Sequence, residues 1–350
     1  MRDRLDHEYE PVWSIEAEVG EGSVALPRPG GFSLTWRLPR RGPLTPEEAE
    51  RRRERWGPPR ADLDRRRLAV TLAVLAGALS VAIGVFGMAL STDRFFLVLL
   101  APALVLGCTR LYLRDFGIFA VLFIVYTELR GLAHVISPSP YYAPQLDLDK
   151  WMFGGHVPTV VLQQWFWTGS MQWYDQLLVD VSKLHFIIPP LLAFLLWMKR
   201  RALFFRFASS MLLLSFAAAV TFLLFPAAPP WAAGRTLLTP TVTQINNNAW
   251  AAVPSSASLA KLLTQNPYAA IPSLHGGYAM LCLIFVAALA WSTRWRWWVV
   301  GAGTFYVLAL SFARVYTGDH YVVDLVAGYL YAAAAFLAVR WYWRRHELPA

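Results

Sequence analysis

The chain has 350 residues, of which 56% are hydrophobic and 16 are tryptophan, and its mean hydropathy is positive. Its apolar residues fall in blocks too long for soluble core helices, which excludes an ordinary globular protein and points to an integral membrane protein. The net charge of +9 does not signal nucleic acid, because the basic residues cluster beside apolar blocks, where they act as topology signals facing anionic headgroups.

Residues 1–67 are polar, rich in Pro, Gly and charge, and contain no apolar stretch that would serve as a secretory signal. They are expected to form a disordered, basic cytoplasmic tail ahead of a transmembrane domain over 68–345. The tail ends in "RRRERWGPPRADLDRRR", whose eight arginines directly precede the first apolar block and anchor it at the cytoplasmic side.

Set against the roughly 20 residues needed to cross a bilayer, the apolar runs predict eight spans, near 68–90, 95–112, 115–136, 176–198, 202–225, 275–291, 297–317 and 321–340. With the N-terminus inside, eighteen basic residues fall on the inner side and four on the outer: Arg94, Lys150, Arg235 and Lys261. Both termini are therefore expected in the cytoplasm, with the long loops 137–175 and 226–274 outside. Those loops contain "FPAAPPW" and "INNNAW", whose aromatics are suited to the headgroup layer. Cys108 and Cys282 both lie inside apolar blocks, so neither a disulfide framework nor a cysteine metal site is supported.

Ionisable side chains are costly within a span, so their position is informative. On this topology His275, Arg314, His320 and Asp324 share one depth, near the outer headgroups. Glu128, Arg130 and His134 lie toward the outer end of the third span, and Asp180, Lys183 and His185 toward the outer end of the fourth. Taken singly, each is readable as a buried polar group satisfied by a neighbouring helix. Ten from five spans at one level predict a polar cavity that opens outward.

The tightest cluster is "ARVYTGDHYVVDLVAG", residues 313–328. His320 and Asp324 are four apart, so on a helix they share a face, and the carboxylate fixes the imidazole tautomer while the other ring nitrogen faces the cavity as a nucleophile. Arg314, across a Gly-containing turn, returns a guanidinium fork that matches phosphate oxygens. "PSLH" at 272–275 ends a loop at Pro272 and Ser273 and begins a helix, so the free N–H groups of the first turn face an anion while His275 supplies a proton to a leaving alkoxide. Nucleophile, orienting carboxylate, cationic clamp, acid and anion cradle together describe phosphoryl transfer.

"PSLH" followed by "RVYTGDHYVVD", which is Arg, five residues, His, three residues, Asp, resembles the second and third signature motifs of the type-2 phosphatidic acid phosphatase superfamily. The resemblance implies His320 as the nucleophile that forms a phosphohistidine, Asp324 as its partner, His275 as general acid, and Arg314 and Ser273 at the phosphate. It implies an all-α polytopic bundle of about eight spans with a six-helix core. "YTELRG", "DKWMFGGHVPTVVLQQW", "KLHFIIPP" and "FPAAPPW" are similar to segments of the inositol phosphorylceramide synthase branch, so the resemblance covers about residues 110–340. The superfamily's first motif, a Lys and an Arg-Pro pair, is missing: the matching end of the fifth span reads "FPAAPPW", without a basic residue. Arg130, Lys183 and His185, at the same depth, are candidates to supply the phosphate contacts.

The expected activity is transfer of a lipid phosphoester headgroup at the outer face of a bacterial plasma membrane. The substrate is a phospholipid or lipid phosphate, and the acceptor a polyol or other alcohol. Hydrolysis by water on the same site stays open, as does a non-catalytic lipid-binding transporter or scaffold whose cavity merely holds a headgroup. No cofactor, metal or nucleic-acid partner is expected: there is no Gly-Lys phosphate loop and no His-Glu-x-x-His spacing.

Overall fold

The computed structural model describes residues 57–59, 64–86, 92–136, 140–233, 237, 241–246 and 268–346. The described residues are overwhelmingly helical and carry only isolated bridges, Tyr141 to Ala227 and Ala227 to Ala269. The helices are α1 Arg65–Phe86, α2 Thr92–Val105, α3 Thr109–Ile136, α4 Ala143–Met152, α5 Pro158–Phe166, α6 Trp173–Lys199, α7 Arg201–Leu224, α8 Pro230–Ala233, α9 Leu274–Ala290, α10 Arg296–Tyr316 and α11 Val322–Arg345. Four of them, α6, α7, α10 and α11, are long and apolar enough to cross a membrane, and 95–105 and α9 are shorter apolar helices. Most of the expected tail lies outside the described residues.

A helix occupies each of the eight ranges expected to span, with one redistribution. The second range was expected to run through 112, but α2 stops at Val105 and a turn closes it, with Gly107 at φ +65° and Cys108 N–H donating to the Ala103 carbonyl at 3.1 Å. Only glycine takes that left-handed conformation without cost. Arg110 and Arg114 therefore sit in the first turns of α3 rather than in a connection.

Helix α9 is central, packing on α6, α7, α10 and α11. It meets α11 at small residues. A Cβ on Gly277 would stand 3.2 Å from the Gly328 carbonyl oxygen, and one on Gly328 would collide with the carbonyl of Ser273. This contact brings the start of α9 against the start of α11, and the Ser273 N–H donates to the Asp324 carbonyl at 2.8 Å. At the far end of the bundle, aromatic packing dominates: Phe95, Phe116, Phe194, Trp197, Phe204 and Phe285 are fully buried. There Asp115 accepts from Trp197 Nε1 at 2.9 Å and Arg201 Nη2 at 2.7 Å, so the buried charges are paired and hydrogen-bonded.

Candidate active site

The site forms where three helix ends meet. Ser273 is the N-cap of α9, its hydroxyl accepting from Gly276 N–H at 3.4 Å. That bond and the Gly277 N–H to Ser273 carbonyl bond leave Leu274 and His275 as the first donors of the helix. Helix α10 ends at Tyr316, and Gly318 at φ +83° reverses the chain against the Thr243 carbonyl, where a Cβ would not fit. The N–H groups of Asp319 and His320 then return to the Arg314 carbonyl at 3.1 and 3.2 Å. The turn thus carries His320 back beside Arg314.

His320 Nε2 lies 3.2 Å from His275 Nδ1, and His320 Nδ1 lies 3.5 Å from Asp324 Oδ2. All of His320, Arg314, Ser273 and Asp324 are buried. The relation of His320 to Asp324 differs from the helical pairing expected from their spacing. His320 precedes α11 in the tight turn, and Asp324 Oδ2 accepts from the Tyr321 N–H at 2.9 Å, capping the helix as well as facing the ring. Arg314 Nη1 pairs with Asp319 Oδ2 at 3.2 Å, which also accepts from Thr317 Oγ1 at 2.7 Å. Arg314 Nε is buried without a hydrogen-bond partner among the described residues. Leaving such a donor unsatisfied costs about 1–3 kcal/mol, which an anion at this point would relieve.

Of the three further candidates, His185 joins the cluster. Its ring centroid is 3.9 Å from that of His275, and since a carbonyl only accepts, Nδ1–H donates to Ser182 at 2.7 Å, leaving Nε2 as the lone-pair nitrogen. The charge of Arg130 acts on His185, His275, His320 and Arg314 together. Lys183 instead pairs with Asp180 at 2.9 Å one turn away on α6. Glu128, expected in the same cavity, is exposed, and the side chain of His134 lies outside the described residues.

Four residues that hold this region were not singled out from the sequence, although Asp149 and Gln163 lie within "DKWMFGGHVPTVVLQQW". Asp149 of α4 accepts from the N–H groups of Val322 and Val323 at 3.1 and 3.0 Å, so a loop carboxylate caps the helix that follows His320. Burial, with the nearby charge of Asp324, pushes the Asp149 carboxyl up to about 6 against those two stabilising bonds. Gln163 of α5 donates from Nε2 to the carbonyls of Tyr316 and Thr243 at 2.9 and 2.8 Å. Asp175 accepts from the Tyr316 hydroxyl, and Asp319 holds Arg314. Each bond except the last joins positions more than a hundred residues apart or lies in a loop without periodicity; for Asp319 its place directly before His320 was the only clue.

No group of three or more His, Cys, Asp or Glu fit to hold a metal occurs among the described residues. Residues 147–338 match the PAP2 superfamily, more than half of the chain, and the protein belongs to that superfamily. Members are generally phosphatases or phosphotransferases acting on lipid-like phosphate substrates, and the apolar helices make this one a membrane protein. No curated protein and no solved structure matches the chain.

Proposed function

We propose that the protein transfers the phosphoester headgroup of a membrane lipid to an alcohol through a phosphohistidine on His320. The observation that carries this reading is the 3.2 Å approach of His320 Nε2 to His275 Nδ1 beside the buried guanidinium of Arg314. In this reading Asp324, 3.5 Å from His320 Nδ1, keeps the proton on that nitrogen, the Nε2 lone pair attacks, and the proton between the rings belongs to His275 Nδ1. Phosphate enters between them. A phosphorus–nitrogen bond forms at Nε2, the phosphorus–oxygen bond to the lipid breaks, and the leaving oxygen takes the His275 proton. An acceptor hydroxyl then attacks phosphorus, its proton returns to His275, and the phosphorus–nitrogen bond breaks.

Arg314, Ser273 and the first N–H groups of α9 hold the phosphate oxygens, and Arg130 and His185 take the place of the missing first motif. The segment 225–231 supports this substitution: Ala227 and Ala228 are fully buried and it carries no cation. The missing motif and the inositol phosphorylceramide synthase-like segments favour transfer over hydrolysis. In this reading all eight long or apolar helices span a bacterial plasma membrane around a six-helix core, with both termini inside and the site facing outward.

The test uses purified wild type and His320→Ala in detergent with a chelator, a panel of phospholipids and lipid phosphates, and assays with and without inositol or another alcohol. Alcohol-dependent new phosphoesters from wild type alone support the reading. Free phosphate as the sole product at every acceptor concentration makes the protein a lipid phosphate phosphatase, and equal activity of the two proteins removes His320 as the nucleophile.

A further inference from the structure

Helices α4 and α5 reverse the pattern of surface helices that face water. Their buried faces carry polar groups, Gln145 and Asp149 on α4 and Thr159 and Gln163 on α5. Their outward faces carry large aromatics: Trp151 is 81% exposed and Trp165 72%, with Phe153 and Phe166 beside them. Two of these, Asp149 and Gln163, are explained by their bonds to the turn and first residues around His320. An aromatic outer face has no such explanation in water, where a contiguous apolar patch of this kind is unfavourable.

The height of the two helices identifies what covers them. Trp173, 77% exposed, is the first residue of α6, which is long and apolar enough to span. The Phe166 ring lies 6.3 Å from that of Tyr316, the last residue of α10, and the Tyr174 hydroxyl donates to the Phe166 carbonyl at 2.6 Å. Asp149 binds the first turn of α11. The aromatic face is therefore continuous with the ends of three spans, at the level where a bilayer passes from acyl chains to headgroups. Tryptophan favours that layer because its ring is apolar and its N–H is polar.

We infer that α4 and α5 form a platform that docks on the bilayer at the site's side, seating Trp151, Trp165 and Trp173 in the headgroup layer while the opposite face holds the turn carrying His320. The partner is the lipid surface itself, and the inference does not depend on the reaction the site performs.

The test places a nitroxide label on Trp151→Cys and, separately, Trp165→Cys in the full chain, reconstituted in phosphatidylcholine and phosphatidylglycerol vesicles. Native Cys108 and Cys282 are buried and leave the new thiol as the reactive one. Collisions with oxygen, which concentrates among acyl chains, are compared with collisions with a water-soluble nickel chelate, calibrated on lipids labelled at the headgroup and along the chain. Ratios at or below headgroup depth, several-fold above those of a label free in solution, are expected. Ratios equal to free solution overturn the proposal. Protection from both reagents also overturns it, because protein rather than lipid then covers the face. Phe153→Cys replaces a tryptophan variant that fails to fold and is judged by the same outcomes.

Discussion

His320 Nε2 and His275 Nδ1 stand 3.2 Å apart, at hydrogen-bonding distance, so a phosphate group that reaches His320 must first break the bond between the two rings. In the proposed mechanism the nitrogen that attacks and the nitrogen that returns the proton are thereby neighbours before substrate arrives. Substituting each ring separates their roles. His320→Ala is expected to lower turnover by ~10³-fold or more with every substrate. His275→Ala is expected to lose turnover with alkyl phosphoesters but to keep much more with a nitrophenyl phosphoester, whose leaving group needs no proton. Parallel steady-state assays on the two substrate types check this.

Arg130 and Lys183 are expected to behave differently although the sequence puts them at one depth. Arg130 acts on the three histidines and on Arg314, whereas Lys183 is engaged with Asp180. Arg130→Ala should lower kcat/KM by about 10- to 100-fold, the worth of a charge-assisted bond to phosphate, and Lys183→Ala by about threefold or less. Equal losses would show that the charge of Lys183 also reaches the substrate.

Gly328→Ala is expected to push α11 away from the Ser273 carbonyl and destabilise the protein by about 1–3 kcal/mol, the usual cost of overpacking. Gly301→Ala on α10, where a Cβ meets nothing within 4 Å, should leave the unfolding temperature unchanged or raise it. Thermal unfolding of both variants in one detergent makes the comparison.

The Asp149 carboxyl is raised from 3.8 to about 6 by burial, so the folded protein binds this proton more tightly than the unfolded chain. Its contribution to stability is fully present below pH 3.8, falls as pH rises through about 6, and is level above that. Asp149→Asn, which cannot ionise, should show a smaller drop in unfolding temperature between pH 4.5 and pH 7 than wild type. Scans at the two pH values measure the difference, and an unchanged drop would assign it to other groups.

Much of this was legible in the chain because hydropathy and short spacings are local. Helix positions followed from apolar run length, and His275, Arg314, His320 and Asp324 from two short motifs. The failures have physical causes. Spacing suggested that His320 and Asp324 share a helical face, but the left-handed Gly318 and the capping by Asp324 delay the helix to Val322, so the pair meets across a helix start. Depth alone placed Glu128 in the cavity, whereas it is exposed, since depth does not say which way a side chain points around a helix. Asp149 and Gln163 lay in a stretch marked only by its resemblance, with no clue to their bonds: their partners at 322–323 and at 243 and 316 are set by folding of the loops over the bundle.

The bond between Arg314 and Asp319 bears on how the site greets an anion. An arginine side chain free in solution samples many rotamers, and fixing it costs about 2 kcal/mol of entropy. Here Asp319, itself steadied by Thr317, holds the guanidinium in one orientation with Nε still uncommitted. That loss of freedom is therefore met when the chain folds, and under the proposed function an arriving phosphate would meet a rigid receptor whose remaining donor already points in a fixed direction.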